Sequence, residues 1–389
     1  MGGEERAAQF NLLKTVIGSG IVSYPSFFAS FGIVPALGLS FFSAVLAFAG
    51  LMMLCECALF YGTKKKTFSE SLEDVWPGIA KYFDAIVFIK CFGVSISYLV
   101  ILKRLLFYVA TKILGFSNVT QGEVIILYAA MMFPACILKD LRSLRFTSVV
   151  GVVGVVVCIC GGAYNLWKKM SAEALPEMSA FEPVNWEWIK KSGQFVFSFT
   201  CHQNIFSIRS GLENPSRKKM GRVIGSVMGA ALLMYLSFGL VVYATYGKNI
   251  EDNVFMSFSK GAVKKFVILF YTVLLSCSYP LQIYPARVCL YEQARKIGRG
   301  GGERYETVLQ SLCAAFLISV GVLVTFMSVD IGMAQSIIGG TASAIMCNLI
   351  PSVCFLKLPR KKSALEKSAA VLLFLYALVA FAGVCAIFM

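Results

Sequence analysis

Apolar residues along this chain gather into runs about as long as a bilayer crossing, on the order of 20 residues each. Short polar clusters between the runs hold most of the lysines and arginines. Bounded by charge and turn residues, the runs fall at approximately 10–33, 36–61, 83–110, 123–138, 145–167, 193–211, 223–246, 264–285, 307–327, 331–356 and 366–388. Helix-length runs joined by short loops, with no long alternating stretches, predict an all-α polytopic membrane bundle of about eleven transmembrane helices and exclude a barrel. One transmembrane domain is expected over 10–389, behind a short N-terminal segment 1–9.

Composition agrees: of 389 residues, 58% are apolar and 15% charged, with a mean hydropathy of +0.74, whereas a soluble domain carries about a quarter charged residues. The net charge of +15 does not mark a nucleic-acid reader, because it is divided among loops and forms no single basic face. Its meaning is topological. With a cytoplasmic N-terminus, the inner loops hold Lys64, Lys65, Lys66 and Lys81; Lys139, Arg142 and Arg145; Arg217, Lys218, Lys219 and Arg222; Arg295, Lys296, Arg299 and Arg304; and Lys357, Arg360, Lys361 and Lys362. The outer loops hold fewer cations, diluted by Glu173, Glu177, Glu182, Glu187, Glu251 and Asp252. Eleven crossings leave Met389 on the outer or lumenal side. The thirteen cysteines lie almost all inside apolar runs and form no CxxC pair, so they read as small packing residues and not as a metal or disulfide framework. No cleavable signal peptide is expected, and Arg6 breaks the myristoylation pattern. The Gly-rich stretch 298–304 reads as a cytoplasmic linker, since no strand precedes it and no Lys-Ser/Thr pair closes it.

The first run, NLLKTVIGSGIVSYPSFFASFG over 11–32, places Gly18, Ser19 and Gly20 together with Pro25 beyond them. Gly18 and Gly20 point to different helix faces, so a shared packing stripe explains them poorly. A break at membrane depth exposes backbone groups that must line a cavity or meet a polar ligand. In secondary transporters such half-helix N-termini attract a substrate carboxylate, and freed carbonyls coordinate a cation. The sixth run, GQFVFSFTCHQNIFSIRSGLENP over 193–215, is interrupted by Thr200, Cys201, His202, Gln203 and Asn204, side chains that are expensive at mid-span without a cavity. Broken runs five apart fit a five-plus-five inverted repeat, with repeat one at about 10–167, repeat two at about 193–356 and an extra helix at 366–388.

The strings NLLKTVIGSGIVSYP, FSFTCHQNIFSI and SYPLQIYPAR (278–287) resemble the amino acid/auxin permease family, within the group that shares the LeuT-like fold. The layout is similar along essentially the whole chain, and the short N-terminus with CHQNIFSI looks most like fungal vacuolar amino acid transporters. The resemblance implies a proton-driven carrier of amino acids. It further implies that, in sodium-coupled members, an Asn four residues before the first motif glycine helps bind Na⁺. That position is Lys14 here, whose ammonium would repel a bound Na⁺ and replace its charge. The alternative is a lysine that snorkels to the interface.

His202, the only histidine, titrates in the range where proton linkage operates; the competing reading is a neutral ring hydrogen-bonded within the break. Glu56 is expected to pair with an inner-loop base, with a proton relay as the sharper alternative. Ser276 and Ser278 could line a cation site opposite the first break, or bond back to their own helix, which Pro280 would tilt. Arg287 reads as an interfacial anchor or gate partner. Gly221, Gly225 and Gly229 form a packing stripe, and Gly339, Gly340 and Thr341 a hinge or a close contact.

The expected substrate contacts are the backbone N–H groups of Ser19, Gly20 and Ile21 beside Gly18 for a carboxylate, and the groups from Thr200 through Cys201 to Asn204 for an ammonium. Tyr24, Phe199 and Ile205 would select the side chain. Coupling-ion candidates are Lys14, Ser276, Ser278 and His202. Expected function is alternating-access transport of neutral or zwitterionic amino acids, with H⁺ and not Na⁺ as the coupled ion, the lipid bilayer as surroundings and no nucleic-acid partner. A vacuolar or lysosomal membrane is favoured over the plasma membrane. No catalytic constellation, metal site or cofactor is expected. The alternative from another class is an amino-acid sensor that signals without flux, which the short N-terminal segment disfavours; mid-membrane polar groups at broken helices disfavour a channel.

Overall fold

The computed structural model describes residues 3–62, 72–73, 75–138, 147–172, 174–251, 253–297, 302–327 and 329–389. The expected inner-loop cations Lys64, Lys65, Lys66, Lys139, Arg142, Arg145 and Arg299, and most of the Gly-rich stretch 298–304, lie outside the described residues, as do Glu173 and Asp252.

The first run forms two helices. α1 (Gly3–Val16) stops at the glycine triplet, a 3₁₀ turn covers Ser19–Ser23, and α2 (Tyr24–Phe31) resumes with Pro25 in its first turn, bent 49° from α1. Pro25 sits where its missing N–H is harmless and its fixed φ favours a helix start. Helix begins at Gly3, so most of the expected N-terminal segment is the opening of α1. Gly32, at φ 81°, turns the chain into α3 (Ile33–Phe60). A Cβ there would lie 2.7 Å from the Phe181 Cα, so both conformation and space require glycine.

α4 (Ala80–Tyr108) continues through a π turn at Val109–Ile113. α5 (Gln121–Cys136) opens with a capping box between Thr120 and Glu123, and α6 is Thr147–Met170. The sixth run divides into α7 (Trp186–Lys190), α8 (Ser192–Ser198), a 3₁₀ turn at His202–Asn204 and α9 (Ile205–Ser210). After α10 (Arg217–Tyr246) and the short α11 (Val254–Ser257) comes α12 (Ala262–Ile297), which carries Pro280 and Pro285 inside it. α13 is Glu303–Phe326. α14 (Ile331–Ile338) runs through π turns at Gly339–Ser343 and Ile345–Leu349 into α15 (Ile350–Lys357), and α16 (Ala364–Ile387) closes the bundle.

Among the described residues, eight helices are long and apolar enough to cross a bilayer, and the bent α1–α2 pair makes a ninth. The sixteen-residue α5 and the interrupted α7–α9 stretch fall short of that length and occupy the places of expected runs four and six. At the core, α12 packs along α4 and α6, while α10 packs along α2, α3 and α6.

Close crossings explain several glycines. A Cβ on Gly339 would lie 1.8 Å from the Gly193 carbonyl oxygen, and one on Gly340 2.4 Å from that of Ala380, so this pair makes a backbone contact between spans. Gly221 and Gly225 face Met52 and Phe48 of α3, while Gly229 meets nothing within 4 Å; the expected stripe covers two of its three positions. Arg287 is buried and donates to the carbonyls of Cys136 (2.7 Å) and Leu138 (2.9 Å). It caps α5, and no acid pairs with it among the described residues.

At the end of the bundle that holds the N-terminus, Glu56 pairs with Arg217 (2.9 Å) and with Arg360, and Glu366 with Arg360 (3.0 Å). Glu56 therefore has the inner-loop bases expected of it. Beside this network, Glu4 bonds Lys219 and Glu5 bonds Arg222 (3.0 Å), fastening α1 to α10.

Candidate functional site

The two broken spans cross at their breaks. A Cβ on Gly20 would lie 3.0 Å from the Ser198 Cα, so the glycine permits the approach. Breaking α1 frees carbonyls that must find donors, and three distant side chains supply them. The Tyr235 hydroxyl lies 2.7 Å from the Val16 oxygen and 3.1 Å from that of Ser198. Tyr271 donates to Gly18 (3.3 Å), and the Gln335 amide donates to Ser19 (2.9 Å) while accepting from the Ser23 hydroxyl. On the opposite, N–H side, Ser19, Gly20 and Ile21 open a 3₁₀ turn that has no side-chain cap.

Gly18, Ser19 and Gly20, at the start of that turn, line a void of about 20 Å³ together with Thr200, Lys90 and Tyr98 among others. Through Thr15, Tyr98 and Gln282 the void adjoins a cavity of about 580 Å³ whose walls include Lys14, Asp84, Asn204 and Ser278. This cavity lies on the side of the bundle that carries α1. A separate cavity of about 290 Å³, with Ser26, Glu187, Lys191 and Asp330 in its walls, lies on the other side. This second cavity shares no lining residue with the void, and Gln335, bonded to Ser19 and Ser23, and the buried stacks Tyr24–Tyr235 (4.7 Å) and Phe27–Phe195 (4.1 Å) pack beside the break.

Of the residues singled out from sequence, Gly18, Ser19, Gly20 and Thr200 meet at the void, and Lys14, Asn204 and Ser278 at the larger cavity. Asn204 also ties the two breaks together, donating to the Thr15 hydroxyl at 2.9 Å. Ser278 bonds back to the Leu274 carbonyl (2.9 Å), the helix-internal alternative, while lining the cavity. Ile21, Tyr24, Phe199, Cys201 and Ile205 are fully buried and line neither space; Tyr24 and Phe199 instead pack on Tyr235. Ser276 is half-buried and outside both linings. His202 is fully buried, with its ring toward the Ala47 backbone and Gly50 of α3, and lines neither space.

Lys90, Tyr98, Gln282 and Gln335 were not singled out from sequence. Lys90, on α4, is 2% exposed and makes no hydrogen bond or ion pair among the described residues. One basic residue inside the apolar stretch FDAIVFIKCFGV was the available signal. The two glutamines gave none, since their roles depend on partners hundreds of residues away.

Comparison with known proteins follows this geometry. The chain is 28% identical over 350 residues to vacuolar amino acid transporter 5 of Schizosaccharomyces pombe, covering 88% of this chain and 81% of that one. It is 25% identical over 377 residues to sodium-coupled neutral amino acid transporter 7 of Homo sapiens, covering 90% and 78%. Among solved structures, MhsT in complex with L-phenylalanine superposes with a TM-score of 0.61 at 13% identity, covering 97% of this chain and 98% of that one; the likeness shows a shared LeuT-like fold. The family model described as transmembrane amino acid transporter protein matches residues 2–389, and the chain belongs to that family.

Proposed function

We propose that this protein is a secondary carrier of neutral or zwitterionic amino acids in a vacuolar or lysosomal membrane, working by alternating access, coupled to H⁺ and independent of Na⁺. Amino acids and the vacuolar membrane are named for its fungal relatives. The carrying observation is the unequal treatment of the two sides of the first break. Its carbonyls at Val16, Gly18 and Ser19 are occupied by Tyr235, Tyr271 and Gln335, whereas the residues that open its uncapped turn line a space joined to a cavity. Such a break is suited to an anion at its N–H side and has few free carbonyls for a metal cation.

Lys14 adds to this reading. Its side chain lines the larger cavity one turn before the break, where a fixed positive charge disfavours a second cation. The human relative named as sodium-coupled argues the other way, so the ion is the point to test. In this reading the carboxylate meets the N–H groups at Gly18–Ile21, and the ammonium meets Thr200 and Asn204. The large cavity on the α1 side and the packing beside the break on the other correspond to an inward-facing state. The repeat halves at about 10–167 and 193–356 would rock against each other, each contributing one break.

The test is sodium-free uptake of labelled amino acids into proteoliposomes, with and without an imposed pH gradient. Accumulation that follows the gradient and collapses with a protonophore is expected, unchanged when choline replaces sodium. Strict sodium dependence would end the proton reading. Binding without accumulation under any gradient would return the sensor reading.

A further inference from the structure

We propose that Lys90 is the residue that binds the substrate carboxylate at the first break, supplying its counter-charge from the protein itself. The proposal rests on the carrier reading above and identifies the chemistry that the site recognises.

Lys90 reaches the break from α4, yet the walls of the void contain no acid to receive it. The ionisable groups there are Lys90 and Tyr98, and the remainder are backbone, apolar, hydroxyl and amide groups. The described ionisable groups on which its charge acts beyond the void are Cys91, Cys201, His202 and Cys347. None of these is a carboxylate. Asp84 is on the same helix but faces the larger cavity, and Lys90 forms no ion pair with it. A lysine with no partner of its own at the wall of a void is open to a group of opposite charge that enters it.

The geometry limits what that group is. Lys90 and the residues that open the uncapped 3₁₀ turn line one void, which brings a charged donor and a stretch of uncapped backbone to one small space. This is the donor set that a planar carboxylate accepts. The void has room for about one water-sized group, while the adjoining cavity of about 580 Å³ has room for the rest of an amino acid. A carboxylate at Lys90 with the α-carbon and side chain toward Gln282 and Tyr98 fits both volumes. A cationic or uncharged head group would leave Lys90 unpaired.

The experiment compares neutral L-amino acids, as a mixture, with the matching mixture of their α-amides, which keep the shape and lose the charge. Competition against labelled amino acid is measured on purified full-length protein, and the acid-over-amide ratio is read within each preparation, so protein yield cancels. Wild type is expected to prefer the acids by at least about tenfold. Lys90→Gln should lose most of that preference, and Lys90→Arg should keep most of it. An unchanged preference in folded Lys90→Gln overturns the proposal while leaving sodium-free uptake by wild type, and with it the carrier reading, intact. Failure of wild type to bind or transport any amino acid overturns both. If Lys90→Gln does not fold, wild type is treated with an amine acylating reagent and modification at Lys90 is quantified by mass spectrometry. Protection by the acids but not the amides supports the assignment, and equal modification in both overturns it.

Discussion

The hydroxyl of Tyr235 on α10 lies 2.7 Å from the carbonyl oxygen of Val16, the last residue of α1, and 3.1 Å from the carbonyl oxygen of Ser198 at the other break. One proton thus serves two carbonyls freed by two separate breaks. Tyr235→Phe keeps the stack on Tyr24 and removes the donor. We expect a loss of about 1–2 kcal/mol in stability and a larger proportional fall in uptake rate, measured by thermal melting and proteoliposome uptake on the same preparation. Full uptake in the variant would show that neither break needs the hydroxyl.

Gly20 and Gly229 form a matched pair for testing the crossing of the breaks. A methyl group at Gly20 meets the Ser198 backbone at 3.0 Å, and one at Gly229 meets nothing within 4 Å. Gly20→Ala should lower stability by about 1–3 kcal/mol and uptake by at least tenfold. Gly229→Ala, in the middle of α10, should leave uptake unchanged and stability equal or higher, because alanine is the better helix former. Equal behaviour of the two variants would contradict the crossing.

The carboxylate of Glu56 is shared by Arg217 and Arg360, and Arg360 is shared in turn by Glu366. Arg217 is well exposed and can be solvated when its partner is removed, whereas Arg360 is more enclosed. Glu56→Gln should therefore cost about 1–2 kcal/mol, most of it through Arg360. A double-mutant cycle with Arg360→Gln should show non-additivity. Strict additivity would reduce the network to independent surface contacts.

Glu182, in the loop after α6, pairs with Lys248 at 2.7 Å. The hydrogen bond from Lys248 holds its carboxyl below the ordinary value of 4.5. The folded state thus binds this proton less readily than the unfolded chain. The stabilisation is complete above about pH 4.5 and is lost only as pH falls through the lowered value. The melting difference between wild type and Glu182→Gln should be small, since exposed ion pairs contribute little. It should stay constant from pH 7 to pH 5 and shrink in more acid solution. A difference that disappears between pH 7 and pH 5 would mean that another group governs the loop.

The break in the first span was legible because its cause is local: Gly18, Ser19 and Gly20 weaken the helix wherever it sits, and Pro25 favours a restart. The polar string from Thr200 to Asn204 marked the second break in the same way. The direction in which each side chain leaves a break was not legible, because helical periodicity lapses there. Tyr24 and Phe199 accordingly turn into the Tyr235 stack instead of the cavity. Partners such as Tyr235, Tyr271 and Gln335 depend on tertiary packing, and nothing near them in sequence points to Val16, Gly18 or Ser19. Lys90 was visible as a charge in an apolar run, but only the fold shows that no acid pairs with it among the described residues.

Tyr235, Tyr271 and Gln335 hold consecutive parts of one short stretch of backbone from three different helices, α10, α12 and α14. The stretch is therefore suspended at three points and tethered rigidly to none of them. If one helix shifts, the segment tilts about the other two attachments, and the N–H groups of Ser19 and Gly20 turn with it. In the alternating-access reading, such a tilt would couple the orientation of the binding space to movements of the three helices. Substitutions at the three donors should differ in sign, some raising and others lowering the fraction of time the site faces the lumen.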